Sequence, residues 1–369
     1  MKKTLIALAV LGASGLAAAQ SSVSLYGVAD AGIGGVTTRR LDVDASGNPV
    51  IYKERKPRFV GGNYLVNNTP SRIGLKGTED IGGGNVVGFT FETGLSLDDG
   101  GSVEFDGRNP LFGAGTGSHF WDRDANVFIA GSWGAFKAGR QVTPTHIAEY
   151  AYDLTGLANY SVMRGTYAAT GIGAWADAAL AYVTPNMGGF QAAVAFVSKN
   201  NTGLAKNVWD LGAWYNNGGL GIGASVNKGL DSGKTNYQLG AKYAFGNFTV
   251  GGSYHSVSSD GGLSLPYLDP ATSVVDPATG AVLVPGRELI RRGFGLGAQA
   301  KFGALTVTLD MTRDTRNEWG VTLGNPVGKK YTNALLEAKY SLSKRTFFYG
   351  DVLRLDGNTH WGLGINHSF

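Results

Sequence analysis

The most informative feature of this chain is an alternation of apolar and polar residues with a period of two, which recurs from residue 22 to the end. The last eleven residues show it clearly. Trp361, Leu363 and Ile365 fall on one parity, and small or polar residues fall on the other. This period is typical of a β-strand with two unlike faces. The strand runs to an aromatic last residue, Phe369, so we expect the chain to stop at the last strand of a sheet.

Sixteen segments of the chain carry this alternation, and their connections are alternately short and long. The segments are 22–33, 71–80, 85–97, 125–131, 135–142, 178–184, 190–198, 208–215, 220–227, 236–245, 248–257, 292–302, 305–312, 332–342, 346–355 and 359–369. Short turns on one rim and long loops on the other are typical of outer-membrane barrels. The pattern therefore predicts an all-β fold, a 16-stranded antiparallel transmembrane β-barrel with short periplasmic turns and long extracellular loops.

In the segments 236–245, 292–302 and 332–342, the charged residues Lys242, Lys301, Glu337 and Lys339 lie on the parity opposite to the large apolar residues. In the segment 292–302, Phe294 and Leu296 share one face, and Gln299 and Lys301 share the other. Unpaired charges buried in a protein core would each cost several kcal/mol. A water-filled lumen removes that cost, with the apolar face turned to lipid. The alternative is a soluble two-domain β-sandwich, but sandwiches rarely alternate short and long connections so regularly.

The amino-terminal end has the composition of a secretory signal peptide. Lys2 and Lys3 precede an apolar run at Leu5–Leu11, and three alanines ending at Ala19 form a small-residue cleavage site. The apolar run is too short to span a bilayer. We therefore expect residues 1–19 to be removed and residues 20–369 to form a single transmembrane β-barrel domain.

Composition excludes several classes of function. The chain has no cysteine, so disulfide and thiolate chemistry are absent. The net charge of +4 is not clustered on one face, so we expect no nucleic-acid partner. The five histidines are scattered without the spacing of metal ligands, and no nucleophile elbow is present, so we expect no cofactor, no metal and no enzymatic activity. An outer-membrane hydrolase is the enzymatic alternative, and lipid hydrolysis would reveal it.

Short motifs spread over the whole chain resemble those of the general porins of Gram-negative outer membranes, in the branch found in β-proteobacteria and Neisseria. The matching segments are Ser24–Gly32, Ser71–Asp80, Gly139–Gln141, Ser343–Thr346 and Gly364–Phe369. They occur in the order of the family, and their combination is far more specific than any one of them.

The resemblance implies a homotrimer that lets small hydrophilic solutes and ions diffuse passively across the outer membrane. It also implies that the third long loop, about Thr143–Asp177, folds into the barrel and narrows it. Relatives usually carry an arginine at the start of the sixth strand, where this chain has Trp175. The basic cluster of the family is therefore altered here, and Arg164 in the third loop is a candidate replacement.

Rings of charge at a constriction select ions by sign, so charged residues on the lumen parity are the candidate site residues. The basic candidates are Arg72 and Lys76 on the second segment. Arg140 shares the parity of outward residues, which would turn it toward a trimer contact with acids of the second loop. Those acids are Asp98, Asp99, Glu104 and Asp106. Each basic residue has the alternative of a solvated strand residue.

The acidic candidates are Glu149 and Asp153 on the third loop and Asp30 on the first segment. The two loop acids have the alternative of pinning the loop through local bonds. Because two basic strand residues face a loop with only two acids, we expect a weak preference for anions.

Two further interpretations concern recognition. Aromatic residues in or near the third loop leave open a substrate-specific channel or a binding barrel. They are Tyr150, Tyr152, Tyr160, Tyr167 and Trp175. Phe369 resembles the signal that the barrel-assembly machinery reads, and outer-membrane lipid and lipopolysaccharide are the expected surroundings of the barrel.

Overall fold

The computed structural model describes residues 22–43, 49–102, 120–167, 173–199, 207–228, 235–259, 289–317 and 329–369, with the backbone alone for residues 38–54. In this part of the chain the elements follow in one order. They are β1 (Ser22–Gly35), β2 (Thr38–Val43), β3 (Pro49–Glu54), β4 (Pro57–Val60), β5 (Arg72–Gly82), β6 (Asn85–Gly94), β7 (Asp124–Gly131), β8 (Gly134–Val142), α1 (Pro144–Tyr150), α2 (Val162–Tyr167), β9 (Trp175–Val183), β10 (Phe190–Val197), β11 (Val208–Asn217), β12 (Leu220–Lys228), β13 (Thr235–Phe245), β14 (Phe248–Ser259), β15 (Leu289–Phe302), β16 (Leu305–Asn317), β17 (Thr332–Ser341), β18 (Thr346–Leu355) and β19 (Asn358–Ser368). The predicted signal peptide, residues 1–19, lies outside the described residues.

The strands close into one antiparallel barrel. Each strand from β5 to β19 pairs with its neighbour in sequence, and β1 closes the ring. One edge of β1 pairs Val28–Gly35 with the last strand, β19. Its other edge pairs first with β5 and then with the short β4, which together occupy one position in the ring. The barrel thus has sixteen positions, which confirms the fold predicted from the sequence.

The barrel is apolar outside and polar inside. On β15 the side chain of Leu296 is 63% exposed on the outer face, whereas Glu337 on the inner face of β17 is 0% exposed. Large exposed apolar residues recur around the ring on the parity predicted to face lipid. A continuous apolar belt around a polar interior is the arrangement expected for a barrel in hydrocarbon.

Tight turns join the strands at one rim. Their glycines have positive φ, for example +58° at Gly218, +57° at Gly246 and +61° at Gly303. Glycine adopts these angles without a steric penalty, which allows the chain to reverse within a few residues. Between these turns the chain crosses to the opposite rim, where the longer connections lie.

Parts of two long connections fold inward. The first connection forms the hairpin β2–β3 and then packs Leu65 and Val66 against Tyr160 of the third loop and Leu335 and Leu353 of the wall. The third loop carries the helices α1 and α2. In the described residues no helix has the length and apolar character needed to cross a bilayer. The buried core of the protein therefore lies between the inward loops and the lumen face of the barrel.

Candidate functional site

The third loop begins with a capped helix. Thr143 is the N-cap of α1, its side-chain oxygen accepts a hydrogen bond from the His146 N–H at 3.3 Å, and Pro144 occupies the first turn. Proline suits this position because its missing N–H would have no partner there. Beyond α1, the carboxylate of Asp153 accepts bonds from the N–H groups of Thr155 and Leu157 at 2.9 and 2.8 Å. These local bonds fix the turn that leads to α2.

Side chains of the barrel wall hold the third loop across the lumen. On β11, Asp210 accepts hydrogen bonds from the backbone and hydroxyl of Thr145 at 2.8 and 2.5 Å. Lys242 on β13 donates to the carbonyls of Tyr150 and Asp153 at 3.2 and 2.8 Å, and Lys339 on β17 donates to a carbonyl in the same turn at 3.0 Å. The loop therefore lies on one side of the lumen, against β10 to β18.

The opposite wall carries a basic cluster built around one carboxylate. Glu92 on β6 forms an ion pair with Arg123, which precedes β7, and lies 3.6 Å from the Nε of Arg72 on β5. The Arg72 guanidinium also donates to the Thr69 hydroxyl at 2.9 Å. Two guanidinium groups thus share one buried acid. Asp124, at the start of β7, is half-buried beside it.

Trp175, predicted to occupy the arginine position of the family, stacks against another arginine. The Arg123 guanidinium carbon lies 4.3 Å from the centroid of the Trp175 ring, a cation–π contact, and the His146 ring lies 5.8 Å away on α1. The charge at this place therefore comes from Arg123. Sequence reasoning missed this residue because it precedes a strand, where parity does not define a direction.

Lys76 and Arg72 both lie on the lumen face of β5, opposite Ser24 and Val28 of β1 in the strand register. Lys76 is exposed, and its ammonium group lies 5.1 Å from the Tyr26 ring centroid. Arg72 is half-buried. These two side chains bring positive charge to the surface of the lumen wall that faces the third loop.

Arg140 lies at a β-bulge, where the pairing of β8 with β9 shifts between Gly139 and Gln141. Its side chain forms an ion pair with Asp177 and donates to the Asp122 carbonyl at 2.6 Å. The Arg140 guanidinium is thus engaged by residues of its own chain. Because of the bulge, simple parity does not fix the direction of its side chain.

The predicted acidic partner of Arg140 in the second loop has contacts of its own. Asp98 accepts a hydrogen bond from the Gly61 N–H at 2.8 Å and bonds the hydroxyl of Tyr64. It thereby ties the second loop to the first. Glu104 and Asp106 lie outside the described residues.

The three acids expected to line the pore are buried. Asp30 is 0% exposed, and its carboxylate accepts from Tyr349 and Asn366 at 2.6 and 2.7 Å. Asp153 is 3% exposed and caps its own turn, while Glu149 is 6% exposed and lies 3.2 Å from the His146 ring. The expectation that these acids line the pore surface is therefore not met. The groups that bond these carboxylates also enclose them, as is usual for buried polar side chains.

Arg164 also lies inside the loop rather than at its surface. It is buried in α2, and its guanidinium donates to the Leu157 carbonyl at 3.2 Å. Burial lowers the pKa of Arg164 from its ordinary value, and the nearby Glu149 carboxylate opposes part of this shift. Arg164 therefore adds positive charge close to Arg123 but presents little surface to a permeating solute.

Four of the five aromatic residues that left open a substrate-specific channel are buried. Tyr152, Tyr160, Tyr167 and Trp175 pack between the loop and the wall, and only Tyr150 of this set is exposed, at 51%. The aromatic lining that would favour a substrate-specific channel is thus reduced to one ring.

Phe369 lies where the barrel closes. Its backbone exchanges two hydrogen bonds with Gly27 of β1, at 3.1 and 3.2 Å. A Cβ at Gly27 would lie 2.5 Å from the Phe369 ring, so glycine leaves the space that the aromatic ring fills.

Among the described residues, no three carboxylate or histidine side chains are close enough to hold a metal ion.

Comparison with known proteins agrees with this geometry. The chain is 29% identical to outer membrane porin protein 32 of Delftia acidovorans, over 99% of this chain and 92% of that one. It is 28% identical to an outer membrane porin protein of Bordetella pertussis over the full length of both. The anion-selective porin from Comamonas acidovorans has the same fold, with a TM-score of 0.67 and 22% identity over 95% of this chain and all of that one.

A family profile described as Gram-negative porin matches residues 4–360. This match covers nearly all of the closed barrel and its inward loop. The chain therefore belongs to the Gram-negative porin family of outer-membrane channels.

Proposed function

We propose that this porin carries small hydrophilic solutes and ions by passive diffusion, with a weak preference for anions. The single observation that supports the preference is the asymmetry of exposed charge at the constriction. Arg72 and Lys76 reach the lumen from the wall, whereas Glu149 and Asp153 of the facing loop are buried. A permeating ion therefore meets more positive than negative charge.

The physical basis of the preference is electrostatic focusing. Charges that line a narrow aqueous path between low-dielectric walls raise the local concentration of ions of opposite sign. The buried pair of Arg123 and Arg164 adds to this field without direct contact. The Comamonas acidovorans porin, which has the same fold, is anion-selective, and this is consistent with the proposal.

The reversal potential of the reconstituted protein in a KCl gradient tests this proposal. We expect the sign that corresponds to chloride passing more readily than potassium. A clear potassium preference would overturn the anion assignment while leaving the channel itself intact.

The proposal extends to assembly and export. We propose a homotrimer embedded in outer-membrane lipid and lipopolysaccharide, inserted by the barrel-assembly machinery through a carboxyl-terminal signal that includes Phe369. The belt of exposed apolar residues around the barrel supports the lipid contact. Residues 1–19 would be cleaved on export, leaving Gln20 first, and the mass of the mature protein tests that step.

A further inference from the structure

Glycines on the lumen face of three adjacent strands lie directly beneath the first helix of the third loop. They are Gly212 on β11, Gly221 and Gly223 on β12, and Gly240 on β13, called here the glycine seat. The strand register pairs Gly223 with Gly240. The seat is therefore a group of neighbouring lumen positions without side chains, centred on the Gly223–Gly240 pair.

The backbone of the loop occupies the space that side chains would need. A Cβ at Gly223 would lie 2.0 Å from the Ala148 carbonyl oxygen, and one at Gly221 would lie 2.1 Å from the Ala151 carbonyl oxygen. At Gly212 the nearest atom is the Pro144 carbonyl oxygen at 2.4 Å. Real contacts of this kind lie at about 3.4 Å or more, so any larger residue would move the helix.

At Gly240 the contact is with a side chain. All three nearest atoms to an added Cβ belong to the Tyr152 ring, at 2.3 to 2.7 Å. Tyr152 itself packs against Leu157, Met163 and Val257 in a small buried cluster. A methyl group at this position would push the ring, and with it the loop, away from the wall.

Polar anchors on the same strands fix the loop on the seat. Asp210 bonds the start of α1, and Gln238 donates to the Thr145 carbonyl at 3.2 Å. Lys242 donates to the carbonyl of Tyr150, the last residue of the helix, and to that of Asp153 beyond it. The seat sets how closely the loop can approach the wall, and the anchors hold it at that distance.

We infer that the glycine seat determines the width of the pore, by letting the third loop lie closer to its wall than any side chain would allow. The inference rests on the proposed function, since it assigns the residues that position the constriction. Closure of the barrel fixes its diameter. Any increase in the distance between the third loop and the wall beneath it therefore narrows the aqueous path on the other side of the loop. The four glycines are thus positioning residues for permeation.

The test compares single-channel conductance of Gly240→Ala with the parent and with a matched control. Gly252→Ala is the control, because Gly252 lies on the outer face of β14 in register with Leu296. We expect Gly240→Ala to lower conductance and to shift the size limit for sugars in liposome swelling to smaller molecules. The control should match the parent in both measurements.

A rescue separates positioning from general damage. In Gly240→Ala combined with Tyr152→Ala, the ring that the new methyl group meets is gone, so conductance should return toward that of Tyr152→Ala alone. Gly223→Ala, which meets backbone, should lower conductance with no such rescue. If it fails to assemble, the Gly240 pair still decides the question.

The inference fails if folded Gly240→Ala conducts like the parent. It also fails if adding Tyr152→Ala to Gly240→Ala leaves the conductance of Gly240→Ala unchanged. These outcomes are distinct from failure of the proposed function, which would appear as absence of conductance in the parent protein.

Discussion

At the scale of single residues, the constriction depends on which charges are exposed and which are enclosed. Glu92 is shared by Arg72 and Arg123, and the half-buried Asp124 lies beside these three groups. Arg123 is in turn stacked on Trp175. Guanidinium groups suit this role because they are planar, always charged and less strongly hydrated than ammonium groups.

The residue that should contribute most directly to ion selection is Arg72. Replacing Arg72 with Gln removes a charge near the path, where a pair of unit charges 4 Å apart interacts by about 1 kcal/mol in water. We expect the chloride-to-potassium permeability ratio to fall by up to about fivefold in 0.1 M KCl. Reversal potentials measure this ratio.

The effect of Arg72→Gln should depend on salt, because the screening length falls from about 10 Å at 0.1 M to about 3 Å at 1 M. Arg345→Gln, in an exposed turn at the opposite end of the barrel from the loops, is the control. Equal ratios for the two variants at low salt would contradict the role given to Arg72.

At the scale of elements, the third loop owes its shape to the wall. The helices α1 and α2 have seven and six residues, too short to be stable in water alone. Strand side chains bond carbonyl groups at the end of α1 and in the turn between the two helices. The loop is therefore an ordered element only while these contacts persist.

Lys339 is one of these contacts. Lys339→Met removes the donor to the Thr155 carbonyl and the partner of Glu337, each 3.0 Å from the ammonium nitrogen. Leaving a buried acceptor without a partner costs about 1–3 kcal/mol. We expect faster amide hydrogen exchange at the turn between α1 and α2, and noisier open-channel current. Lys344→Met, in an exposed turn, should change neither, and unchanged exchange in Lys339→Met would refute the anchor.

His146 makes the same loop sensitive to acid. Burial lowers the pKa of His146 from its ordinary value of 6.5, the nearby Arg164 and Arg123 lower it too, and its bond to Glu149 opposes the shift. As the pH falls below 6.5, the His146 imidazole is protonated more readily in an undocked loop than in the docked loop, where burial lowers its pKa. Docking should therefore weaken below about pH 6.5 and be unaffected by this group above it.

Hydrogen exchange of α1 at pH 8 and pH 5, corrected for the intrinsic rate, measures this effect. In His146→Gln the additional loss of protection at pH 5 should be smaller than in the parent. The same pH dependence in both proteins would assign the effect to other groups.

At the scale of the whole molecule, the alternation of residues predicts the strands, whereas the inward third loop is expected only from the family resemblance. Each strand has one face in water and one in lipid, so apolar residues such as Leu296 and Leu336 mark the parity directly. All sixteen alternating segments correspond to strands, with shifts of a few residues at their ends. The hairpin β2–β3 and the helices carry no such two-sided pattern.

The candidate site shows the same division. Arg72 and Lys76 lie on a strand, where the alternation of residues predicts the face that each side chain takes. Glu149, Asp153 and Arg123 lie in irregular or helical segments, where direction depends on local hydrogen bonds rather than on alternation. The burial of the two loop acids and the stack of Arg123 on Trp175 are therefore results of packing, which a sequence pattern does not encode.

Barrel closure gives a prediction for the last residue. Deleting Phe369 removes two backbone hydrogen bonds to Gly27 and the ring that covers it. We expect a lower yield of folded, heat-modifiable barrel in the outer membrane, while Phe369→Tyr keeps the ring and should assemble well. A normal yield after deletion would contradict both the closing role and the proposed assembly signal.

The whole account depends on water filling the lumen beside the third loop while lipid surrounds the barrel. Single-channel recording of the purified parent protein in a planar bilayer tests this most directly. We predict discrete, ohmic conductance steps in KCl, grouped in threes if the trimer is correct. Protein that inserts into the bilayer but leaves it insulating would contradict the account.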